Sequence, residues 1–163
     1  MKDQPVHLVV IGLGYVGLPV IAHAVRSGIH CTGLDTSHSI VHGLNSGRSH
    51  VDDISDSEVA ELLGRGFSAT SETSVLQTAD VVLICVPTPL DEARNPDLQL
   101  LESATRDVAP YLSNGTLLVS ESTSYPGTLR DVIIPLVNSL KSNVASELFY
   151  ASAPERVNPG DPV

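Results

Sequence analysis

The chain has 163 residues, of which 42% are hydrophobic and 17% are charged, a composition typical of one globular domain with its own core rather than of a disordered segment. Its formal net charge is −10 and it contains no basic stretch, which argues against nucleic acid and acidic membrane surfaces as partners. The longest apolar run, 81–86, is far too short to span a bilayer, and the N-terminal residues show no signal peptide, so we expect a cytoplasmic protein.

Apolar runs of strand length alternate with helical patterns along the whole chain. In chain order we expect a strand at 6–11, a helix at 15–27, a strand at 29–35, helices at 37–46 and within 52–64, strands near 66–70 and at 80–86, a helix at 98–112, a strand at 116–120, a helix at 127–140 and a strand at 148–152. Ser55 or Ser57 would cap the helix within 52–64. A Pro- and Asp-rich loop is expected at 87–97, and 153–163 shows no periodicity.

About six strands with intervening helices match an α/β fold of the doubly wound Rossmann type, a parallel sheet with helices on both faces. The strand predicted at 80–86, which is continuously apolar over 81–86, fits such a sheet, because the central strands of the sheet are buried on both faces. One domain of this kind fills 1–163. Ligands of these sheets lie beyond the carboxyl ends of the strands, so the residues that directly follow each strand are the candidate site residues.

The first strand runs directly into a G-x-G-x-x-G turn that opens a helix. Gly12 would allow the tight turn, Gly14 would let the backbone approach a pyrophosphate, and Gly17 would let the helix pack close to the strand. The helix N-terminus, with Tyr15 and Val16 in the turn, would offer N–H groups and a partial positive charge to the phosphates. This context predicts a dinucleotide site rather than a turn that merely starts a helix.

Asp35 follows the second apolar strand, about 20 residues further on, where a carboxylate would accept hydrogen bonds from the adenine ribose. The carboxylate would repel the 2′-phosphate of NADP, and no arginine follows directly to accommodate that group. The sequence therefore predicts NAD as the cofactor.

The cysteines and histidines suggest no further chemistry. Cys31 and Cys85 lie inside predicted strands, so we interpret both as small core residues of a protein from a reducing compartment. The six histidines show no metal-ligand spacing, and no metal site is expected at His7, His23, His30, His38, His42 or His50.

The loops after the last three strands carry specific motifs: Cys85-Val-Pro-Thr-Pro-Leu90, Glu121-Ser-Thr-Ser-Tyr-Pro-Gly-Thr128 and Ala153-Pro-Glu-Arg-Val-Asn-Pro-Gly160. Together with the Gly-Leu-Gly-Tyr-Val-Gly-Leu-Pro turn, they resemble the nucleotide-sugar 6-dehydrogenases of the UDP-glucose/GDP-mannose dehydrogenase family. The resemblance runs through essentially the whole chain. It implies a two-step oxidation of a sugar primary alcohol to a carboxylate with two NAD, in surface polysaccharide biosynthesis.

The resemblance assigns cofactor contacts to the loops after the fourth and fifth strands. Thr88, in a loop stiffened by Pro87, resembles a threonine that contacts NAD. Thr123, with its neighbour Ser122, resembles a threonine that touches NAD and helps to hold the catalytic water. A plain turn at Thr88 and an ordinary helix cap at Thr123 are the alternatives.

The resemblance assigns substrate chemistry to the loop after the sixth strand. Glu155 resembles a carboxylate that performs acid–base work and positions water, and burial that raised its pKa would suit it as a base. The alternative is a solvated surface acid. Arg156 and Val157 resemble a pair that contacts the substrate, since a guanidinium group can engage a diphosphate or sugar oxygens.

The resemblance also implies parts that this sequence does not contain. Family members continue with a central helix and a C-terminal sugar-nucleotide domain, which supply a catalytic Lys, an Asn and a nucleophilic Cys. We therefore expect a cofactor domain from a longer enzyme that is a homodimer or higher oligomer. On its own, the chain is expected to bind NAD weakly and to turn over no UDP-sugar.

Two details depart from or refine the family pattern. Many members carry a basic residue five positions after the ribose acid, where this chain has Ile40. The Pro-Glu-Arg-Val-x-Pro-Gly motif, with Glu-Ser-Thr-x-Tyr-Pro-Gly upstream, is closer to the branch that acts on UDP-N-acetylhexosamines than to the UDP-glucose branch. UDP-glucose remains the alternative substrate.

Two other functions remain open. One is a dehydrogenase of the 3-hydroxyisobutyrate or 6-phosphogluconate type, which shares the glycine-rich start but has a different loop after the fifth strand. The other is a non-catalytic NAD-sensing module, which would need neither Thr123 nor Glu155.

Overall fold

The computed structural model describes residues 5–91, 94–141 and 147–155. Within these ranges, six parallel strands form one sheet. The strands are β1 (His7–Ile11), β2 (His30–Leu34), β3 (Ser68–Thr70), β4 (Val81–Ile84), β5 (Leu117–Ser120) and β6 (Phe149–Ser152). The helices are α1 (Gly17–Arg26), α2 (His38–Asn45), α3 (Asp56–Gly64), α4 (Gln99–Val108) and α5 (Ile134–Leu140).

The strand order is β3-β2-β1-β4-β5-β6, which confirms the doubly wound fold. The chain winds outward from β1 to β3, crosses back to β4 beside β1, and then winds outward in the other direction. The loops that leave β1 and β4 therefore run to opposite sides, and this reversal opens a crevice at the carboxyl edge of the sheet.

Each face of the sheet has its own hydrophobic cluster. Val10 packs with Ile21 of α1 and Leu62 of α3 on one face. Val9 packs with Leu101 of α4 and Val137 of α5 on the other. Successive strand residues point to opposite faces, so Val10 packs in one cluster and its neighbour Val9 in the other. This confirms the expectation of helices on both faces.

Local sequence explains where two helices begin. Ser55 caps α3: its hydroxyl accepts from the Glu58 N–H at 3.3 Å, and the Glu58 carboxylate accepts from the Ser55 N–H at 2.9 Å. This capping box selects Ser55 over Ser57. Ser37 caps α2 by accepting from the Ile40 N–H at 3.4 Å.

Two predicted helices differ clearly from the structure, and one short turn was not predicted. The helix predicted at 98–112 ends as α4 at Val108 and continues as a 3₁₀ turn that contains Pro110, which has no N–H to donate. The helix predicted at 127–140 begins with a π-helical turn, Leu129–Ile133, before α5. A 3₁₀ turn at Thr73–Thr78 was not predicted, because this polar stretch has no helical periodicity.

The loop predicted at 87–97 is confirmed over its described residues, 87–91 and 94–97, which include an antiparallel bridge between Leu90 and Pro96. Of the region predicted to lack periodicity, 156–163 lies outside the described residues. The longest helices described, α1 and α4, have ten residues each, and none in the described ranges has the length and hydrophobicity needed to cross a membrane.

Candidate functional site

The glycine-rich turn has open space at one of its three glycines and is closely packed at the other two. Gly12 has φ +87°, and a Cβ there would lie 2.9 Å from the carbonyl oxygen of Cys85. A Cβ at Gly17 would overlap the carbonyl oxygen of Gly12, so α1 packs directly against the turn. No atom lies within 4 Å of a Cβ built at Gly14. The turn thus has open space at Gly14, where a pyrophosphate would approach the backbone.

The N-terminus of α1 suits an anionic ligand. Its N-cap residue is Val16, which makes no side-chain capping bond, whereas α2 and α3 have serine caps. The first turn of α1 contains no acidic residue that would repel phosphate. The helix dipole places partial positive charge at this end, so the turn and helix together fit a diphosphate. Tyr15 is exposed beside them.

Asp35 is fixed against the glycine-rich turn. Its Oδ2 accepts a hydrogen bond from the Leu13 N–H at 2.9 Å, and its Oδ1 accepts from the Ser37 N–H at 2.8 Å. A carboxylate oxygen has more than one acceptor site, so each retains capacity for a further donor. The structure therefore holds an oriented carboxylate where β2 ends, as a ribose site requires.

A cavity of about 490 Å³ opens beside Asp35, within the size range of small-molecule sites. It lies where the strand order reverses, between the ends of β1, β2 and β4 and the side of α4. Gly12, Asp35 and Pro87, three of the predicted cofactor residues, line it. Sequence reasoning missed its other walls, which are Ile11, Leu34, Thr36, Ser71, Thr73, Val86, Leu100, Ser103, Ala104, Asp107, Val108 and Tyr111.

Three hydroxyl groups join the loops that follow β4, β5 and β6. The Thr88 hydroxyl donates to the carbonyl oxygen of Thr123. The Thr123 hydroxyl donates to the carbonyl oxygen of Glu155 at 2.5 Å. Ser122 is buried, and its hydroxyl donates to the carbonyl oxygen of Val86 at 2.7 Å. The structure therefore brings together residues that are far apart in sequence and were predicted to share one site.

The hydrogen-bond direction at Thr123 determines what this residue can do next. A threonine hydroxyl has one hydrogen, which here points to the Glu155 carbonyl, and its remaining capacity is as an acceptor. A water or cofactor amide could therefore donate to it. Thr123 does not cap the next helix, because Thr128 occupies the cap position there.

The predicted substrate residues are described only in part. Glu155 is exposed, and its backbone N–H donates to the carbonyl oxygen of Glu121 at 3.2 Å. Arg156 and Val157 lie outside the described residues.

The two cysteines are buried, as expected, but they differ in setting. Cys31 lies within β2, and burial raises the pKa of its thiol to about 11. Cys85 follows β4 instead of lying inside it, a correction to the predicted strand end. Its thiol donates to Oε2 of Glu121 at 3.0 Å. Burial, and then the Glu121 carboxylate, raise the pKa of Cys85, which keeps it a neutral thiol.

Ile40 does not reach the candidate site. It is half-buried on α2 and packs against the cluster on the α1 face. Near it, Nδ1 of His38 lies 3.2 Å from the hydroxyl oxygen of Ser71, a residue of the cavity wall. Within 5–91, 94–141 and 147–155, no three His, Cys, Asp or Glu side chains are grouped so as to hold a metal ion.

Comparisons with known proteins agree with this geometry. The model of the UDP-glucose/GDP-mannose dehydrogenase family, NAD binding domain, matches residues 6–163. UDP-N-acetyl-D-mannosamine dehydrogenase of Pyrococcus horikoshii is 36% identical over 155 residues, which cover 94% of this chain and 37% of that protein. UDP-N-acetyl-D-glucosamine 6-dehydrogenase of Pseudomonas aeruginosa is 35% identical over 164 residues, which cover 99% of this chain and 37% of that protein.

The solved structure of the Pyrococcus horikoshii UDP-D-ManNAc dehydrogenase has a TM-score of 0.84 to this chain at 36% identity, and the match covers 94% of this chain and 37% of that one. The chain thus spans a little over a third of the length of these relatives. Fold, glycine-rich turn and family match lead to one conclusion: the chain belongs to the UDP-glucose/GDP-mannose dehydrogenase family, as an NAD-binding domain.

Proposed function

We propose that the chain is the cofactor domain of a nucleotide-sugar dehydrogenase, which oxidises a sugar 6-hydroxyl to a carboxylate with two NAD for surface polysaccharide synthesis. The observation that carries this proposal is the meeting of the glycine-rich turn, Asp35 and the Thr88–Thr123–Glu155 hydrogen bonds at one edge of the sheet. A single extended dinucleotide can contact all of these features.

The adenosine half of NAD would occupy the cavity beside Asp35, whose carboxylate would accept from the ribose hydroxyls. The diphosphate would lie on Gly12, Gly14 and the α1 N-terminus, with Tyr15, Val16 and Gly17 forming that turn. The nicotinamide half would then reach the loops after β4 and β5, where Pro87, Thr88, Ser122 and Thr123 lie. NAD, when bound, supplies the hydride acceptor.

The catalytic assignments rest on the hydroxyl geometry. Thr123 would accept a hydrogen bond from the catalytic water, because its own hydrogen is committed to the carbonyl of Glu155. Glu155, whose backbone carbonyl accepts from the Thr123 hydroxyl, would serve as the acid–base group, although its side chain is exposed and not buried as a raised pKa would require. Arg156 and Val157 would contact the substrate, as the family resemblance implies.

The names of the relatives support a UDP-N-acetylhexosamine substrate, since two of them act on UDP-N-acetylmannosamine and UDP-N-acetylglucosamine. A homodimer or higher oligomer and a cytoplasmic location remain part of the proposal. The two free thiols support a reducing compartment.

Calorimetric titration with NAD and NADP tests the cofactor assignment. We expect saturable NAD binding and much weaker NADP binding, because the Asp35 carboxylate would face the ribose and repel a 2′-phosphate. Equal affinity for both would contradict the place given to Asp35. The reaction itself is tested on the full-length polypeptide by NADH formation with UDP-N-acetylglucosamine, UDP-N-acetylmannosamine and UDP-glucose. Two NADH per sugar are expected, and no NADH with any of them would contradict the proposed reaction.

A further inference from the structure

A carboxylate lies beside the glycine-rich turn on the side opposite Asp35. Ile84 pairs with Ser120 in the parallel register, so the next residues, Cys85 and Glu121, reach the same point at the edge of the sheet. The Cys85 thiol donates to Oε2 of Glu121 at 3.0 Å, and the Cys85 carbonyl oxygen lies so close to the turn that a Cβ on Gly12 would be 2.9 Å from it. Only one residue therefore separates Glu121 from the turn that would hold the diphosphate.

The backbone of Glu121 is fixed at both ends. Its N–H donates to the carbonyl oxygen of Ile84 at 3.0 Å, and its carbonyl accepts from the N–H of Glu155 at 3.2 Å. The side chain is half-buried and its partner is a neutral thiol. Within the described part of the chain, the arginines that form ion pairs do so with other acids. The negative charge of Glu121 is thus held in place without a cation from those residues.

The path of the cofactor brings its nicotinamide end toward this charge. Asp35 and the cavity define the adenosine end, and the glycine-rich turn defines the diphosphate. An extended dinucleotide that continues in the same direction reaches the ends of β4 and β5, where Cys85 and Glu121 lie. The nicotinamide ring carries a positive charge in NAD+ and none in NADH, so a nearby carboxylate interacts differently with the two forms.

We propose that Glu121 sets the redox preference of the site, its carboxylate favouring NAD+ over NADH. This inference rests on the proposed function. It also gives Glu121 a purpose in that function: two oxidations consume two NAD+, so each NADH must leave before the next NAD+ binds. A charge that weakens NADH binding relative to NAD+ binding favours this exchange.

The test separates charge from hydrogen-bond geometry. Glu121→Gln removes the charge but keeps the side-chain length, an amide oxygen that can accept from Cys85, and both backbone bonds. Glu121→Asp keeps the charge. Glu147→Gln removes an exposed carboxylate at the opposite edge of the sheet and is the matched control.

The measured quantity is the ratio of the dissociation constant of NADH to that of NAD+, from calorimetry on the full chain. In Glu121→Gln we expect this ratio to fall about tenfold, chiefly through weaker NAD+ binding. Glu121→Asp and Glu147→Gln should keep it within about twofold of wild type. NAD+ and NADH carry the same diphosphate, so a change in the ratio reports the ring charge and not phosphate binding.

An unchanged ratio in folded Glu121→Gln would overturn the inference, and so would a parallel loss of both affinities, since either result would leave Glu121 a role in loop packing alone. If Glu121→Gln does not fold, the ratio of the two dissociation constants is measured instead in Glu121→Ala. It is also measured in the wild-type chain as the salt concentration rises. Salt screens the carboxylate, so the ratio should fall as salt rises, and a constant ratio would contradict the proposal. Failure of the wild-type chain to bind either nucleotide would overturn the proposed function as well.

Discussion

The Thr123 hydroxyl donates to the backbone carbonyl of Glu155 at 2.5 Å, while the Thr123 carbonyl accepts from the Thr88 hydroxyl. Three loops that follow three neighbouring strands are thus held by two side-chain hydroxyls. The loops carry the candidate cofactor and substrate residues. These two bonds would therefore connect the proposed nicotinamide site to Glu155, the proposed acid–base group.

Replacing Thr123 by Val should loosen this connection and weaken NAD binding. Valine has nearly the same shape but cannot donate to the Glu155 carbonyl or accept from a ligand. We expect the loss of one to two hydrogen bonds, about 1–2 kcal/mol, or roughly fivefold to thirtyfold in the dissociation constant measured by calorimetry. Thr123→Ser keeps the hydroxyl and should bind NAD within about threefold of wild type. Equal affinity of the Val variant and wild type would show that Thr123 lies away from the cofactor.

Alanine at the two later glycines of the turn should have opposite effects. At Gly14 a Cβ has open space, so Gly14→Ala should fold normally, with its methyl group placed where the diphosphate would lie. At Gly17 the Cβ would overlap the Gly12 carbonyl, so Gly17→Ala should destabilise the fold by several kcal/mol. Thermal unfolding and NAD titration of both variants separate the two effects. Normal NAD binding by Gly14→Ala would mean that the diphosphate does not lie on this turn.

Asp35 should contribute to both NAD affinity and the order of the turn. Asp35→Ala removes an acceptor for ribose hydroxyls and should weaken NAD binding by about 1–3 kcal/mol. It also leaves the Leu13 and Ser37 N–H groups without their present acceptor. Asp35→Asn keeps one side-chain oxygen and removes the charge, so the relative affinity for NADP should rise. Asp52→Ala, on an exposed carboxylate elsewhere, should change neither affinity. An unaltered NAD affinity in Asp35→Ala would place the acid away from the ribose.

The strand pattern and the local caps could be predicted from the sequence because they depend on near neighbours. The continuous apolar run at 81–86 indicates burial on both faces, and β4 lies in the middle of the sheet. The Ser55 capping box is complete within four residues. The number of residues between the glycine-rich turn and Asp35 is set by the helical crossover that joins β1 to β2. These features need no knowledge of distant contacts.

The residues of the cavity wall and the Glu121 carboxylate beside the glycine-rich turn reach their places through tertiary packing. No local sequence pattern indicates these positions. Asp107 and Tyr111 line the cavity because α4 and the 3₁₀ turn after it pack across the strand-order reversal. Helical periodicity does not specify what a polar side chain faces. Cys85 and Glu121 meet through the register of β4 and β5. The sequence placed Cys85 inside a strand, since an apolar run does not show where pairing ends. The loop motifs marked the region but not this contact.

A buried histidine at the opposite edge of the sheet should make the fold sensitive to acid. His7 is 8% exposed; Nε2 lies 3.0 Å from the Thr32 hydroxyl, and the His30 ring is 4.4 Å away. Burial, and then the neighbouring His30, lower the pKa of His7, while the Thr78 carbonyl and Asp80 partly oppose this. The unfolded chain therefore binds a proton more readily than the folded chain. The stability from neutral His7 is complete above pH 6.5 and is lost as the pH falls through the lower folded pKa.

Urea unfolding at a series of pH values from 7 to about 5 measures this effect. In wild type, the free energy of unfolding should decrease with falling pH, by at most about 1.4 kcal/mol per pH unit from this one group. In His7→Gln, which cannot take up the proton, the decrease should be smaller, although the stability at pH 7 is lower because ring contacts are lost. His23→Gln, on the exposed side of α1, should keep the wild-type slope. If His7→Gln and wild type had parallel pH profiles, the acid sensitivity would have to come from other groups, since proton uptake at His7 is the one step that this substitution removes.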